Sequence, residues 1–175
     1  MDKLILAVAT AVYADMIADY RGEFPAEGAG VTAVPGQIPG LDRFEEFAST
    51  EEWLGYCEKM RGKISWFLTL RESDGKMIGA VCLRHSLEYD DDDEEFRSHI
   101  GYSVRPSERG KGYAKEQLRL CLEKARELGL GRVRLICVDT NVGGSAVIRA
   151  NGGVYVDTIY GEESGLSVER YDIVL

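Results

Sequence analysis

The stretch Val104–Leu118, reading VRPSERGKGYAKEQL, constrains this chain more than any other. An apolar, extended run ends at Arg-Pro, and proline fixes its own φ while steering the residue before it away from helix. A basic turn broken by Gly110 and Gly112 follows, and then a helical pattern begins. Ala114, Leu118, Cys121, Leu122, Ala125 and Leu128 fall on one stripe, charges fill the opposite face, and Gly129 stands where a helix C-terminus closes. A helix N-terminus exposes unpaired N–H groups and a partial positive charge, so it attracts anions. The two glycines let the backbone approach a ligand closely, Ala114 keeps the first turn small, and Arg109 and Lys111 add positive charge. Together these features suit a pyrophosphate.

Around this unit the pattern alternates. Residues 2–8 read as a strand and 10–22 as a helix. Asp42 is placed to cap a helix that carries Phe44, Phe47 and Ala48 inward, and STEEW (49–53) offers a second N-cap for a helix through Trp53, Leu54, Cys57 and Met60. ISWFLTLRE and MIGAVCLRHSLE are β-rich runs split by SDGK, a hairpin signal, and FRSHIGYSV (96–104) is a further strand. After the helix over 111–128 come the strand RVRLICVDT, a short helix GSAVIRAN, and two strands, VYVDTIY and LSVERYDIVL, joined by GEESG. The order predicts an α/β (α+β) domain whose mixed sheet is mostly antiparallel, with one parallel crossover in the middle.

At 175 residues the chain is expected to form one domain, with no linker or repeat to divide it. The apolar run Leu4–Val12 is short and flows into an acidic, aromatic stretch, so it is not read as a signal peptide, and no run approaches the ~20 residues of a membrane span. Cys57, Cys82, Cys121 and Cys137 lie far apart inside hydrophobic patterns, the reading expected of buried thiols in a cytoplasmic protein rather than of a metal or redox motif. A formal net charge of −9 argues against nucleic acid as a partner and is compatible with a cationic one. The acidic run Asp90–Glu95 reads first as a solvated loop and alternatively as a rim that draws an amine, and the Phe24–Leu41 loop as a substrate-side lid or an ordinary excursion. Trp53, Trp66, Phe44 and Phe47 read as core.

Three kinds of phosphate site compete for the glycine turn. A nucleoside-triphosphate loop needs G-x-x-x-x-G-K-[ST], which does not occur. A dinucleotide fold needs a third glycine where GKGYAK has Lys115, and several further βαβ units where only 36 residues follow Asp139. RGKGYA instead resembles the [Q/R]-x-x-G-x-[G/A] turn of the GNAT acyltransferase superfamily, with Arg109, Gly112 and Ala114 in the defining places. The similarity continues through HIGYSV before the turn and VRLICVDTN and VIRANGG after it, about residues 75–160.

The resemblance implies a V-shaped splay between two central parallel strands, flanked by helices, with acetyl-coenzyme A (acetyl-CoA) in the gap. It implies that backbone N–H groups of Arg109, Gly110, Lys111, Gly112, Tyr113 and Ala114 hold the pyrophosphate, that main-chain groups near Tyr102 and Val104 hold the pantetheine arm, and that Asn141 contacts the cofactor. No metal and no covalent intermediate are implied. Where many members carry a tyrosine general acid, this chain has Ile148, leaving Tyr155 and Tyr160 as substitutes. The general base expected on the strand before the turn falls at Ser98, with His99 adjacent; His99 is the first candidate and Glu88 the second. The alternative for His99 is a strand-end histidine held by hydrogen bonds, and His85 reads as structural.

The expected function is transfer of an acetyl group to a primary amine, of a small molecule or a peptide, by a cytoplasmic enzyme that could form a homodimer. The rival readings are a non-catalytic acyl-CoA-binding sensor, which Ile148 motivates, and an interaction module whose glycine turn only starts a helix.

Overall fold

Hydrogen bonding divides the strands into two antiparallel sheets that lean on each other at one corner. The computed structural model describes residues 2–25, 37–89, 96–162 and 164–175. The first sheet contains β1 (Leu4–Val8), β2 (Ile64–Arg71), β3 (Met77–Arg84) and β4 (Ile100–Val104), in that order. The second contains β5 (Arg132–Val138), β6 (Val154–Gly161) and β7 (Leu166–Val174), in the order β5-β7-β6. All five strand pairings are antiparallel. The expected parallel neighbours, β4 and β5, have no ladder between them: their N-terminal ends touch and their remainders diverge, which is the splay.

Local chemistry accounts for most elements. β2 and β3 are continuous apolar runs because both faces of their hairpin are covered. The turn between them closes with the Arg71 N–H on the Lys76 carbonyl at 2.9 Å, and Gly75 takes φ 70° there. In α2 (Thr50–Met60) the Ser49 hydroxyl accepts from the Glu52 N–H at 3.2 Å while the Glu52 carboxylate accepts from the Ala48 N–H at 3.1 Å, the reciprocal capping that STEEW predicts.

Two cores result. One lies between α1 (Ala14–Gly22), α2 and the first sheet, around Ile17, Tyr20, Trp53, Trp66, Leu68 and Met77. The other is capped by α3 (Tyr113–Glu127), whose Leu118, Cys121, Leu122 and Ala125 reach both Val81 and Leu83 of the first sheet and Val133 and Leu135 of the second. Each of the α3 leucines contributes about 1.5–3 kcal/mol by burial, so this helix fastens the two sheets together. All four cysteines are buried and free. Among the described residues no helix is long and apolar enough to cross a membrane.

Several expectations change. Asp42 does not cap a helix: Arg43 adopts a left-handed φ of 63°, only a 3-10 turn forms at Phe44–Glu46, and the Asp42 side chain turns away from it. Phe44 and Phe47 still pack on the first core. The run 77–88 ends as a strand at Arg84 and continues as a 3-10 turn at Leu87–Tyr89; 96–104 is regular only from Ile100. The acidic run 90–95 and most of the 24–41 loop lie outside the described residues.

Candidate active site

The corner where the sheets meet is made by His99 and Arg134. The His99 N–H donates to the Arg134 carbonyl at 2.8 Å, and the Arg134 N–H donates back to His99 Nδ1 at 2.8 Å. Past this point β4 and β5 enclose a cavity of about 740 Å³, walled by residues 100–104 on one side and 136–138 on the other. The start of α3 and the start of α4 (Val142–Ala150) close one end; Gln37, Pro39, Asp42, Arg84, Phe96 and Ser98 line the other.

At the α3 end the chain is shaped for an anion. After a 3-10 turn at Pro106–Glu108, Gly110 and Gly112 adopt φ 77° and 83°, a region that costs residues with a Cβ about 1–2 kcal/mol each. No side chain caps α3, so its first-turn N–H groups are left for a ligand, and Gly110, Gly112, Tyr113 and Ala114 all line the cavity. The turn is held from behind by Arg105, which is 3% exposed. Its guanidinium donates to the Met77 carbonyl at 2.8 Å, to Glu23 at 2.6 Å and to Asp19 at 2.9 Å.

Two cations of the turn have partners of their own. Arg109 donates through Nε to the Val104 carbonyl at 3.2 Å and lies over the Phe24 ring. Lys111 is drawn to Glu108 at 2.7 Å and does not line the cavity. Glu108 also receives Lys76 at 2.8 Å and Arg71 at 3.3 Å. Hydrogen bonds from Lys111 and Lys76 hold its carboxyl at about 2, well below the usual range.

Tyr102, Val104, Arg109 and Asn141 all line the cavity. Asn141 has a structural task as well: its Oδ1 accepts from the Gly144 N–H at 2.9 Å and caps α4. Lys115, Cys137, Gly143 and Gly144 join the lining without having been singled out by the sequence. Gly144 lets the start of α4 pack closely on β5, since a Cβ there would fall 2.8 Å from the Cys137 sulfur. Left-handed glycines, uncapped amides and small residues at both helix starts fit the pyrophosphate and narrow arm of a coenzyme A.

The residues proposed for chemistry are placed differently. His99 is absent from the cavity lining; its Nδ1 is committed to the Arg134 amide, and burial with the neighbouring Arg134 charge lowers its pKa below the ordinary 6.5. Glu88 sits exposed in the 3-10 turn and does not line the cavity either. His85 bridges Ser65 Oγ at 2.9 Å and the Gly62 carbonyl at 3.2 Å, a structural role. Ile148 is buried against the cavity, while Tyr155 and Tyr160 are 49% and 61% exposed and do not line it.

What reaches the cavity instead is Asp42. Its Oδ2 accepts from Arg84 at 2.7 Å and from the Cys82 thiol at 2.7 Å, and its Oδ1 from the Gly40 N–H at 3.1 Å. Arg84 also donates to the Ser98 carbonyl at 3.3 Å. No local pattern announces this cluster, because its members come from three separate stretches of chain.

Comparison with known proteins agrees with this geometry. The family model described as "Acetyltransferase (GNAT) domain" matches residues 31–154. No curated protein sequence matches the chain. Among solved structures, the acetyltransferase from Salmonella typhimurium that modifies the N-terminal serine of ribosomal protein L7/L12 superposes with a TM-score of 0.74 at 18% identity, covering 98% of this chain and 95% of that one. RimL, a ribosomal L7/L12 α-N-protein acetyltransferase in complex with coenzyme A, gives 0.69 at 16% identity, covering 98% and 94%. A spermidine N-acetyltransferase SpeG chimera from Vibrio cholerae and hSSAT gives 0.66 at 17% identity, covering 98% and 95%. At these identities the structures speak for the fold, and the family model, which spans well over half of the chain, speaks for descent: this protein belongs to the GNAT acetyltransferase family.

Proposed function

We propose that this protein is an acetyl-CoA-dependent N-acetyltransferase that modifies a primary amine by direct attack. The observation that carries the reading is a cavity between diverging strands with an anion-shaped turn at one end and a polar pocket at the other. Two reactants could enter such a channel from opposite ends. The fold neighbours named for N-terminal serine of a ribosomal protein and for spermidine support an amine as acceptor.

The thioester supplies the activated acetyl carbon. The chain's own part is to bind and orient. The uncapped amides at Gly112, Tyr113 and Ala114 take the pyrophosphate, with the Lys115 side chain beside them. Main-chain groups of β4 near Tyr102 hold the arm. Holding two reactants in line replaces a bimolecular encounter and can remove about 7–11 kcal/mol of the barrier. With Ile148 in place of a tyrosine and neither His99 nor Glu88 lining the cavity, water takes the proton that the attacking nitrogen sheds as its bond to the acetyl carbon forms, and the departing sulfur takes one from water as the C–S bond breaks.

Isothermal titration of acetyl-CoA into wild type and Gly112→Glu, followed by thiol release with spermidine and with serine- and alanine-initiated tetrapeptides, tests this. Binding lost in the variant and release above background support it. Binding without release from any amine favours a non-catalytic acyl-CoA sensor, the reading Ile148 motivates. No binding by the wild type refutes both.

A further inference from the structure

We propose that Asp42 is the acceptor-binding residue, receiving the acceptor's primary ammonium over Gly101 of β4. The inference rests on the acetyltransferase reading and specifies the acceptor side of that same cavity.

The site around Asp42 is built rather than incidental. Pro39 and Gly40 are seated on the first sheet: Ser103 Oγ donates to the Pro39 carbonyl at 2.6 Å, and Gly40 lies so close to β3 that a Cβ on it would come 2.3 Å from the Ala80 carbonyl oxygen. The chain then carries Asp42 across the wall of the cavity. Asp42 Oδ1 lies 3.4 Å from where a Cβ on Gly101 would stand, so the carboxylate rests on β4 one residue before Tyr102. That is beside the place where the arm of the acyl donor is held.

Valence singles out one direction at this carboxylate. An ionised carboxylate has about four acceptor positions. Among the described residues, Arg84 and the Cys82 thiol take two on Oδ2 and the Gly40 N–H takes one on Oδ1. The fourth belongs to Oδ1, the oxygen over Gly101, and Asp42 lines the cavity. A hydrogen-bond donor fits there, its bond to the carboxylate is charge-assisted, and a primary ammonium adds opposite charge. Arg84 is a positioning residue: it donates to Asp42, to the Ser98 carbonyl and toward Cys82, and it fixes the plane of the carboxylate. Cys82 stays a thiol donor, because burial pushes its pKa well up. His99 and Glu88, outside the cavity lining, offer no comparable contact.

The test separates acceptor binding from turnover. Spermidine and the serine-initiated tetrapeptide are titrated into coenzyme A-loaded wild type, Asp42→Asn, Asp42→Glu and His99→Ala. Acetyl-CoA affinity and the thermal transition of each variant serve as folding controls. Asp42→Asn is expected to weaken amine binding about ten- to hundredfold, with acetyl-CoA affinity within about twofold; Asp42→Glu recovers part of the loss, and His99→Ala changes amine affinity little. Where an amine is turned over, the Asn variant should raise KM for that amine more than it lowers kcat. Amine binding equal in wild type and Asp42→Asn, or no amine binding to the loaded wild type, overturns the assignment. The acetyltransferase reading fails on a different readout, absence of acetyl-CoA binding or thiol release by the wild type.

Discussion

The imidazole of His99 accepts the backbone N–H of Arg134 through Nδ1 while the His99 N–H donates to the Arg134 carbonyl, both at 2.8 Å. One histidine thus supplies both a main-chain and a side-chain link between two sheets. The ring is fixed as the tautomer with its proton on Nε2, and it serves as a clip.

His99→Ala should cost about 1–2 kcal/mol, the penalty of leaving the partly buried Arg134 amide without its acceptor. The loss should depend on pH. The folded His99 has a pKa below its ordinary value of 6.5, so between the two values the unfolded chain binds more protons and stability falls as pH falls. The contribution of His99 is complete above about pH 6.5 and shrinks below it. Urea unfolding of wild type and variant at pH 7.5 and pH 5.5 reads this directly: a difference that widens at the lower pH would show that the clip works in the protonated state.

Arg105 and its two carboxylates should respond unequally. Arg105→Ala leaves the Met77 carbonyl without its guanidinium donor and Glu23 with Ser107 alone, and should destabilise by about 1–3 kcal/mol. Asp19→Ala should cost well under 1 kcal/mol, because that side chain is 71% exposed. Acetyl-CoA affinity should fall with the first substitution and hold with the second, as Arg105 backs the glycine turn. Chemical denaturation with parallel calorimetric titrations would reveal equal effects, and hence a wrong account of the turn, if they occur.

Glu108→Gln removes a negative charge from the edge of the cavity and releases Lys111 and Lys76. Acetyl-CoA should bind roughly fivefold tighter, a Coulomb effect of about 1 kcal/mol that salt diminishes. The stability that Glu108 gives is present above its unfolded pKa of 4.5 and is lost as pH falls toward 2, so the variant's acid-unfolding curve should be flatter across that window. Weaker acetyl-CoA binding at every salt concentration would contradict the charge argument.

Of the four thiols, Cys82, Cys57 and Cys121 lie outside the cavity lining and Cys137 lies within it. Burial raises the Cys137 pKa to about 11, so alkylation at pH 8.5 should be slow, yet faster than at the other three in the folded protein. Acetyl-CoA at about ten times its Kd should slow modification of Cys137 about tenfold by simple occupancy. Peptide mapping by mass spectrometry identifies the site, and an unaltered rate would remove β5 from the cofactor wall.

Features carried by neighbouring residues were legible without a structure. The strand–glycine turn–helix, the SDGK hairpin and the Ser49–Glu52 capping pair each depend on residues within a few positions of one another. Asp42 has the sequence signature of an N-cap because it stands ahead of spaced aromatics, and nothing local reveals that Arg43 turns left-handed or that the true partner, Arg84, lies 42 residues on. His99 stands immediately before β4, but whether its ring faces the gap or bridges it is decided by where β5 comes to rest, 35 residues later.

The open seam between β4 and β5 has a consequence for solubility. Strand edges with unpaired N–H and C=O groups are templates for another chain to pair with, and proteins usually blunt them with charge, proline or cover. Two of the four outermost strands here, β4 and β5, carry their free edges in the middle of the molecule, facing each other across the cavity and roofed by α3 and α4. The chain thereby keeps a stretch of unpaired backbone inside a cavity without displaying it to other copies of itself; among the described strands, β1 and β6 are the edges left to guard from aggregation.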